Sequence, residues 1–381
     1  MNPYKPRDTP EYALADDPEA EALARIAIVS QNAKAAWFGL LAALVFTVVT
    51  LMGHEDADFF AFGAATTLPV INLEVPPESF FLAAPILITA LYVYLHLYLL
   101  NLWEVLSDAP PQIKGAPLAK KAYPAMINSA AIWYRNRRCG DGSFPPRPMG
   151  SLMAFVNTLL VWGFAWGVLV AMWWRSMPAH DPLTTWIVAL CLTICVAVGT
   201  VGGVSARGQL RNQRTHDRRT RGWHGAANFI LLLTALTSAS LMRTAGQSPF
   251  NDDWLARADL AEKELTIKPA DWLDYEQWVQ DYEHTYKIRN GLRIGEALTG
   301  DHLTAFREDM KIRRKALTDA LQNKTLRGRD LRNADLADTF LAGADLREAR
   351  MEGADLSEAN LKSTDLRGWS IAPQIRGFYG S

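Results

Sequence analysis

The hydrophobic positions of this chain follow two patterns, and the first is a series of long apolar segments separated by polar loops. The segments are Ala36–Gly53, Phe80–Trp103, Ser151–Trp174, Trp186–Val204 and Ala226–Met242. Each is near the roughly 20 residues that a helix needs to cross a hydrocarbon core of about 30 Å. The pattern therefore predicts a helical membrane domain over residues 36–243, with about five transmembrane helices.

The second pattern is a large apolar residue that returns at every fifth position near the end of the chain. These residues are Leu326, Leu331, Leu336, Leu341, Leu346, Met351, Leu356, Leu361 and Leu366. A helix (period 3.6) or a flat strand (period 2) cannot keep such a spacing on one face. A small residue and an Asp often precede the large one, as in Ala344, Asp345 and Leu346. The spacing thus indicates a five-residue structural unit with these apolar side chains in its core.

The order of small residue, Asp or Asn, Leu and two variable positions resembles the pentapeptide-repeat family. With the apolar segments, the chain looks like a multi-pass, membrane-anchored member. The resemblance implies a short right-handed β-helix over residues 321–368, with four units per coil, so that residues 20 apart stack. We expect an irregular opening coil, because Lys324 and Arg329 occupy the small inward position.

The remaining segments complete a five-part organisation. Residues 1–35 are expected to be a largely disordered cytoplasmic tail, and residues 369–381 a C-terminal cap or tail. Residues 244–320 are polar and predict a helical linker. Its first helix is expected in "NDDWLARADLAEKEL", which starts with Asn251 and Asp252 as capping candidates, and a later one at Asp301.

Loop charge predicts the orientation in the membrane. The net charge of the chain is only -1, but its basic residues are unevenly placed. Residues 54–79 contain no Lys or Arg, whereas "ARGQLRNQRTHDRRTRGW" before the fifth segment is rich in Arg. Since basic loops stay in the cytoplasm, the N-terminus is expected there. With five spans, the repeat lies on the opposite side, and a bacterial inner membrane is the expected location.

One membrane segment carries a polar face. Thr89, Tyr92 and His96 share one side of the second segment, at helical spacing. An ionisable side chain inside a membrane is a candidate functional site, because its burial is costly. The alternative is a structural histidine that bonds to a neighbouring helix, for example to Asn157 or Asn228. No Asp, Glu, Lys or Arg lies well inside any apolar segment, which argues against a pump or secondary transporter.

Small residues indicate close helix packing in the fourth segment. Cys191, Cys195, Gly199 and Gly203 recur at four-residue spacing. Small side chains let helix backbones approach each other in lipid, where dispersion contacts drive association. We therefore interpret the two cysteines as packing residues.

The repeat also carries a candidate interaction ladder. Because residues 20 apart would stack, Arg327, Arg347 and Arg367 would form a basic face, with Asp335, Asp338, Asp355 and Glu358 on the opposite face. Asp345 and Asp365 could offset the charge of the arginines. Alternatively, the arginines could bind an anionic partner or lipid headgroups, since Arg suits bidentate contacts to carboxylate and phosphate.

The functional expectation is an interaction protein. The sequence contains no recognisable nucleophile–base set, phosphate loop or metal cluster, so we expect no enzyme activity, no cofactor, no metal and no catalytic residue. We expect a membrane protein that displays the repeat for protein–protein interaction or scaffolding, with the lipid bilayer, an unknown protein partner and a possible homo-oligomer as partners. Nucleic acid is not expected, because the charges of the repeat nearly balance. The alternative is an oligomeric, channel-like permeation protein whose repeat controls assembly.

Overall fold

The computed structural model describes residues 18–61, 66–68, 73–110, 112–113, 115–118, 150–210, 218–244, 256–267, 275–319, 322–323 and 325–370. The expected tail up to residue 17, most of the basic loop before the third apolar segment and the cap from residue 371 onward lie outside these residues. The chain forms two compact units. The first comprises Met1–Met52, Phe80–Arg175 and Pro182–Ala239, and the second comprises Gly53–Ser79, Ser176–Asp181 and Ser240–Ser381.

The described apolar part of the chain is mainly helical. They are α1 (Pro18–Met52), α2 (Pro77–Asp108), α3 (Gly150–Thr158), α4 (Phe164–Ser176), α5 (Pro182–Leu210) and α6 (Arg218–Thr244). A π-helical turn, Leu159–Gly163, joins α3 to α4. Five stretches are apolar and long enough to span a bilayer: Glu19–Met52, Pro77–Asp108, Phe155–Ala179, Pro182–Ser205 and Gly225–Thr244. These five stretches characterise an integral membrane protein.

The first helix begins earlier than expected. A largely disordered tail was predicted through residue 35, but α1 starts at Pro18, with Glu19 and Glu21 in its first turn. Acidic side chains there suit the positive end of the helix dipole. Ile26, Ala33 and Leu40 are buried at seven-residue intervals, which keeps them on one face of the helix. Burial of that face explains why this polar-looking segment is helical.

Short elements connect the helices. A 3₁₀ turn, η1 (Asp56–Phe59), and a hairpin of β1 (Thr66–Leu68) and β2 (Leu73–Val75) lie between α1 and α2. Strands β3 (Gln112–Ile113) and β4 (Ala116–Pro117) form a second small hairpin after α2. A second 3₁₀ turn, η2 (Met177–Ala179), precedes α5. In the second unit, η1 packs against η2.

The polar region after α6 contains two helices, α7 (Tyr275–Arg289) and α8 (Gly300–Asp319). They pack through aromatic side chains, with the Tyr282 and Phe306 rings stacked at 5.6 Å. Strand β5 (Thr266–Ile267) comes before these helices and β6 (Gln322–Asn323) after them, and the two strands pair antiparallel. The helical pair therefore lies in sequence between two strands that pair with each other.

Residues 325–370, here called the repeat stack, are a series of coils joined by parallel β-bridges. The bridged pairs are Asp330 with Arg350, Asp335 with Asp355, Phe340 with Asn360, Asp345 with Asp365 and Arg350 with Ser370. Backbone hydrogen bonds run the same way, as from the Leu346 amide to the Asp365 carbonyl, 2.9 Å. Each coil thus takes up 20 residues, or four five-residue units.

A separate part of the chain covers the N-terminal edge of this stack. In residues 256–267, here called the edge segment, Asp259 bridges to Asp335 and Glu264 bridges to Phe340, both in parallel. The expected helix over "NDDWLARADLAEKEL" is therefore wrong for its described residues, which contain no helix. The physical reason is that Leu260 and Leu265 gain burial in the stack that an isolated polar helix could not give them.

Candidate functional site

The core of the repeat stack consists of the predicted leucines and the small residues before them. Leu326, Leu331, Leu336, Leu341, Leu346, Met351 and Leu356 are buried, whereas Leu361 and Leu366 are half-buried. Ala334, Ala344 and Ala349 are buried beside them. A large and a small side chain in each unit fill the coil, and this burial is the main apolar contribution to its stability.

Each unit also contains a tight left-handed turn, two positions after the central leucine. The residues with positive φ are Gly328, Asn333, Asp338, Gly343, Glu348, Gly353, Glu358, Ser363 and Gly368. Glycine, and to a lesser degree Asn and Asp, tolerate this conformation. Sequence reasoning treated this position as variable, although its glycines were a visible signal.

The edge segment repeats the same unit. Its Ala258, Asp259 and Leu260 have the residue order of Ala334, Asp335 and Leu336, the unit on which they stack. Glu262 lies two positions after Leu260 and has φ 58°, the same turn conformation. The Glu262 amide donates to the Ala337 carbonyl at 2.9 Å. These units were missed because only two of them occur together.

The arginine ladder is paired with acids on its own face. Arg347 binds Asp345 through two hydrogen bonds, from Nε at 2.8 Å and from Nη2 at 2.7 Å. Arg367 holds Asp365 in the same way, and Arg327 pairs with Glu348 at 2.6 Å. The hydrogen bond from Arg347 lowers the pKa of Asp345 to about 2. This geometry favours charge compensation within the ladder over arginines that await an anionic partner.

The opposite face carries acids without such partners. Asp259, Asp335 and Asp355 stack through parallel bridges. Glu262, Asp338 and Glu358 occupy the turn position of the same units, and all six side chains belong to exposed residues. Within the described chain, no Lys or Arg forms an ion pair with any of the six. We call this surface the acidic face. The edge segment extends it beyond what the repeat alone predicted.

Contacts from the repeat stack and the edge segment bind them to the first turn of α2 and to the residues between α1 and α2. Arg329 Nη2 pairs with Glu78 Oε1 at 3.0 Å, and this explains an arginine at a small-residue position. Lys263 Nζ pairs with Glu55 at 2.6 Å, and the hydrogen bond from Glu55 raises the pKa of Lys263. The backbone amide of Asp259 donates to Asp56 Oδ2 at 3.1 Å. All these residues belong to the second unit.

A histidine from the α4–α5 connection makes the most buried of these contacts. His180 Nδ1 lies 3.0 Å from the Asp330 carbonyl oxygen and 3.2 Å from its carboxylate Oδ1. His180 Nε2 lies 3.0 Å from the carbonyl oxygen of Ala256 in the edge segment. Burial raises the pKa of Asp330, but hydrogen bonds from His180 and Arg332 outweigh it and hold that pKa well below its usual range. Sequence reasoning missed His180, because nothing local marks it.

The polar face of α2 lies inside the helical bundle. Thr89, Tyr92 and His96 are all buried. Thr89 Oγ1 donates to the Pro85 carbonyl at 2.7 Å, and His96 Nδ1 lies 2.9 Å from the Tyr92 carbonyl. His96 Nδ1 thus takes a carbonyl of its own helix, one turn away, rather than Asn157 or Asn228, and the buried Nε2 has no hydrogen-bond partner among the described residues. The arrangement fits a structural histidine.

Glycine explains how the helices approach each other here. A Cβ atom at Gly199 would lie 2.5 Å from the Tyr92 hydroxyl and 2.7 Å from Trp166 Cζ2. Trp162 Nε1 donates to the Gly199 carbonyl at 3.2 Å. Gly199 therefore belongs to a close packing site, as its four-residue spacing suggested.

Within the described ranges, no group of three or more His, Cys, Asp or Glu side chains is arranged to hold a metal ion.

Comparison with known proteins identifies the repeat. Residues 330–368 match the family model described as pentapeptide repeats, in eight copies. No curated protein and no solved structure matches the chain. Residues 330–368 therefore carry pentapeptide repeats, and the described chain before them contains five helices apolar and long enough to fit a multi-pass membrane anchor.

Proposed function

We propose that this chain is a non-enzymatic, membrane-anchored interaction protein that presents a pentapeptide-repeat β-helix to a protein partner. The 20-residue bridge spacing supports a four-sided coil, and the family resemblance supports the right-handed form. The observation that carries the proposal is the acidic face. It is exposed over the edge segment and two coils of the repeat stack, whereas the arginine face is compensated by its own carboxylates. A basic surface on the partner is the expected complement.

The proposed location of the protein is a bacterial inner membrane. The proposed orientation places the repeat outside the cytoplasm. Two observations support it. Glu78, in the first turn of α2, and His180, in the α4–α5 connection, follow the first and third spans, so they share one side of the membrane if every span crosses. Both contact the repeat stack, which follows the fifth span and would share that side. The arginine-rich loop before the fifth span then marks the cytoplasmic side.

Four exposed acids offer a direct test of the interaction surface. The variant combines Asp335→Asn, Asp338→Asn, Asp355→Asn and Glu358→Gln. Asn can keep the turn hydrogen bond that Asp335 Oδ1 accepts from the Ala337 amide. Tagged full-length protein is crosslinked in native membranes and captured with its partners. The expected result is loss of a specific crosslinked partner that the wild type retains.

The matched control removes charge from the arginine face, with Arg347→Gln and Arg367→Gln. This control is expected to keep the partner. Equal capture by the acidic-face variant and the wild type would contradict the proposed surface, and so would loss of the partner only in the arginine variant. Capture of a second copy of the chain would show that the partner is another copy of this protein, in a homo-oligomer.

A further inference from the structure

We propose that His180 is a proton-dependent latch, which in its doubly protonated form ties the α4–α5 connection to the repeat stack. Loss of a ring proton would loosen this attachment. The inference concerns how the repeat is held and is independent of the partner that it binds.

The hydrogen-bond geometry selects the protonated ring. Nδ1 faces the carbonyl and the carboxylate of Asp330, and Nε2 faces the carbonyl of Ala256. All three groups are acceptors without a proton to give. A neutral imidazole has one N–H donor and one acceptor nitrogen, whereas the imidazolium donates from both. A neutral His180 would therefore place one nitrogen lone pair against an oxygen lone pair.

The surrounding structure buries the His180 side chain and fixes its backbone conformation. The His180 side chain is 3% exposed, so water cannot readily replace a lost partner. Its backbone has φ 49° and ψ 26°, a left-handed conformation that is uncommon for a residue other than glycine. The turn is closed by its own amide, which donates to the Met177 carbonyl at 2.9 Å. The fold thus holds a less favourable backbone conformation that directs this imidazole toward the edge segment and the first coil.

The ionisable groups around the latch are of both signs. Asp330 is the carboxylate in contact with the ring, and Arg332 shares it at 2.6 Å. The surrounding elements also carry ionisable groups: His54, Glu55, Asp56 and Asp58 in and beside η1, Arg257 and Asp259 in the edge segment, and Asp181 next to His180. Because Asp330 stays ionised far below neutrality, it can accept from His180 throughout the range in which histidine usually titrates.

The direction of the pH effect follows from these contacts. Acidification favours the imidazolium and keeps both hydrogen bonds, so the latch holds at low pH. When the pH rises enough for the ring to lose a proton, one donor is lost and the attachment weakens. The change is local to the α4–α5 connection, the edge segment and the start of the stack.

Hydrogen exchange on the full-length protein in nanodiscs tests the latch. Protection is compared at about pH 5.5 and about pH 9.5, a range wider than the one in which histidine usually titrates, after correction for intrinsic exchange. Peptides that cover residues 176–181 and 326–333 are expected to be about tenfold more protected at the acidic pH, as suits loss of one hydrogen bond of a charged group. His180→Asn removes the titrating ring but tolerates the left-handed turn.

The expected result is that His180→Asn abolishes the pH contrast, while His284→Asn, at an exposed histidine of α7, preserves it. A contrast that persists in His180→Asn, or no contrast in the wild type, would overturn the latch. If His180→Asn does not fold, the pH contrast in hydrogen-exchange protection is measured for Asp330→Asn instead. It removes the carboxylate and keeps the carbonyl, so the contrast should shrink, and an unchanged contrast would refute the proposal.

Discussion

Asp259 lies against Asp335 in a parallel β-bridge, although the helices α7 and α8 come between them in sequence. The stacked units therefore begin in the edge segment, and α7 and α8 lie in sequence between the edge segment and the repeat stack. This arrangement closes the N-terminal edge of the stack, which would otherwise expose unpaired backbone groups. The same edge segment provides the Ala256 carbonyl that His180 contacts.

The edge segment is expected to be part of the core of the stack. Leu260 is fully buried, so Leu260→Ala should lower the free energy of unfolding of the stack by about 2–5 kcal/mol. Ile267, 46% exposed, is the control, and Ile267→Ala should change it by no more than about 0.5 kcal/mol. Native-state hydrogen exchange of residues 335–345 measures both. Similar small effects would mean that Leu260 does not belong to the core.

The left-handed turns predict a difference between two glycines. Gly328 has φ 67° with open space where a Cβ would lie, so Gly328→Ala should cost about 1–2 kcal/mol, the backbone penalty alone. At Gly353, a Cβ would also meet Asn333 Oδ1 at 2.6 Å. Gly353→Ala should therefore destabilise the stack more than Gly328→Ala in urea unfolding followed by circular dichroism. The reverse order would argue against the turn geometry.

The close packing at Gly199 makes a prediction for the helical bundle. Gly199→Ala would place a methyl group against Tyr92 and Trp166, and overpacking of this kind typically costs about 1–3 kcal/mol. Gly203→Ala, one turn away, meets no atom within 4 Å and should be nearly neutral. Thermal unfolding in detergent compares the two variants. A lower stability for Gly203→Ala than for Gly199→Ala would contradict the packing.

The ladder predicts a pH effect that depends on Arg347. The pKa of Asp345 is lowered to about 2, so the stability from its pairing is present above the usual carboxyl pKa, about 3.9, and is lost as the pH falls toward 2. Arg347→Gln should raise the pKa of Asp345 toward its ordinary value. Arg350→Gln, outside this pair, should leave it low. A carboxyl carbon NMR titration measures both, and an unchanged Asp345 in Arg347→Gln would exclude the hydrogen bond as the cause.

The sequence predicted the elements whose signal is local and repeated. The five-residue return of leucine predicted the repeating unit, and the resemblance to the pentapeptide-repeat family implied four units per coil and hence the 20-residue stacking. The apolar segments predicted the helices, since their length must match the membrane. Residues 18–35 were misjudged because burial of Ile26 and Ala33, not composition, makes them helical.

The contacts between distant segments could not be predicted in the same way. The pairs of His180 with Asp330 and of Arg329 with Glu78 join parts of the chain that share no pattern. The edge segment had a signal in Ala258, Asp259 and Leu260, but its leading Asn251 and Asp252 equally suited a helix cap. Tertiary burial decided between these two interpretations.

The central claim is a pentapeptide repeat anchored by five spans and held outside the cytoplasm, and reporter fusions at Ser248 and Ser381 test it most directly. Alkaline phosphatase is active only after export, whereas green fluorescent protein exported through the general secretion pathway does not fluoresce. The account predicts active phosphatase and dark green fluorescent protein at both positions. Fluorescent fusions without phosphatase activity would contradict it, because the repeat would then lie in the cytoplasm.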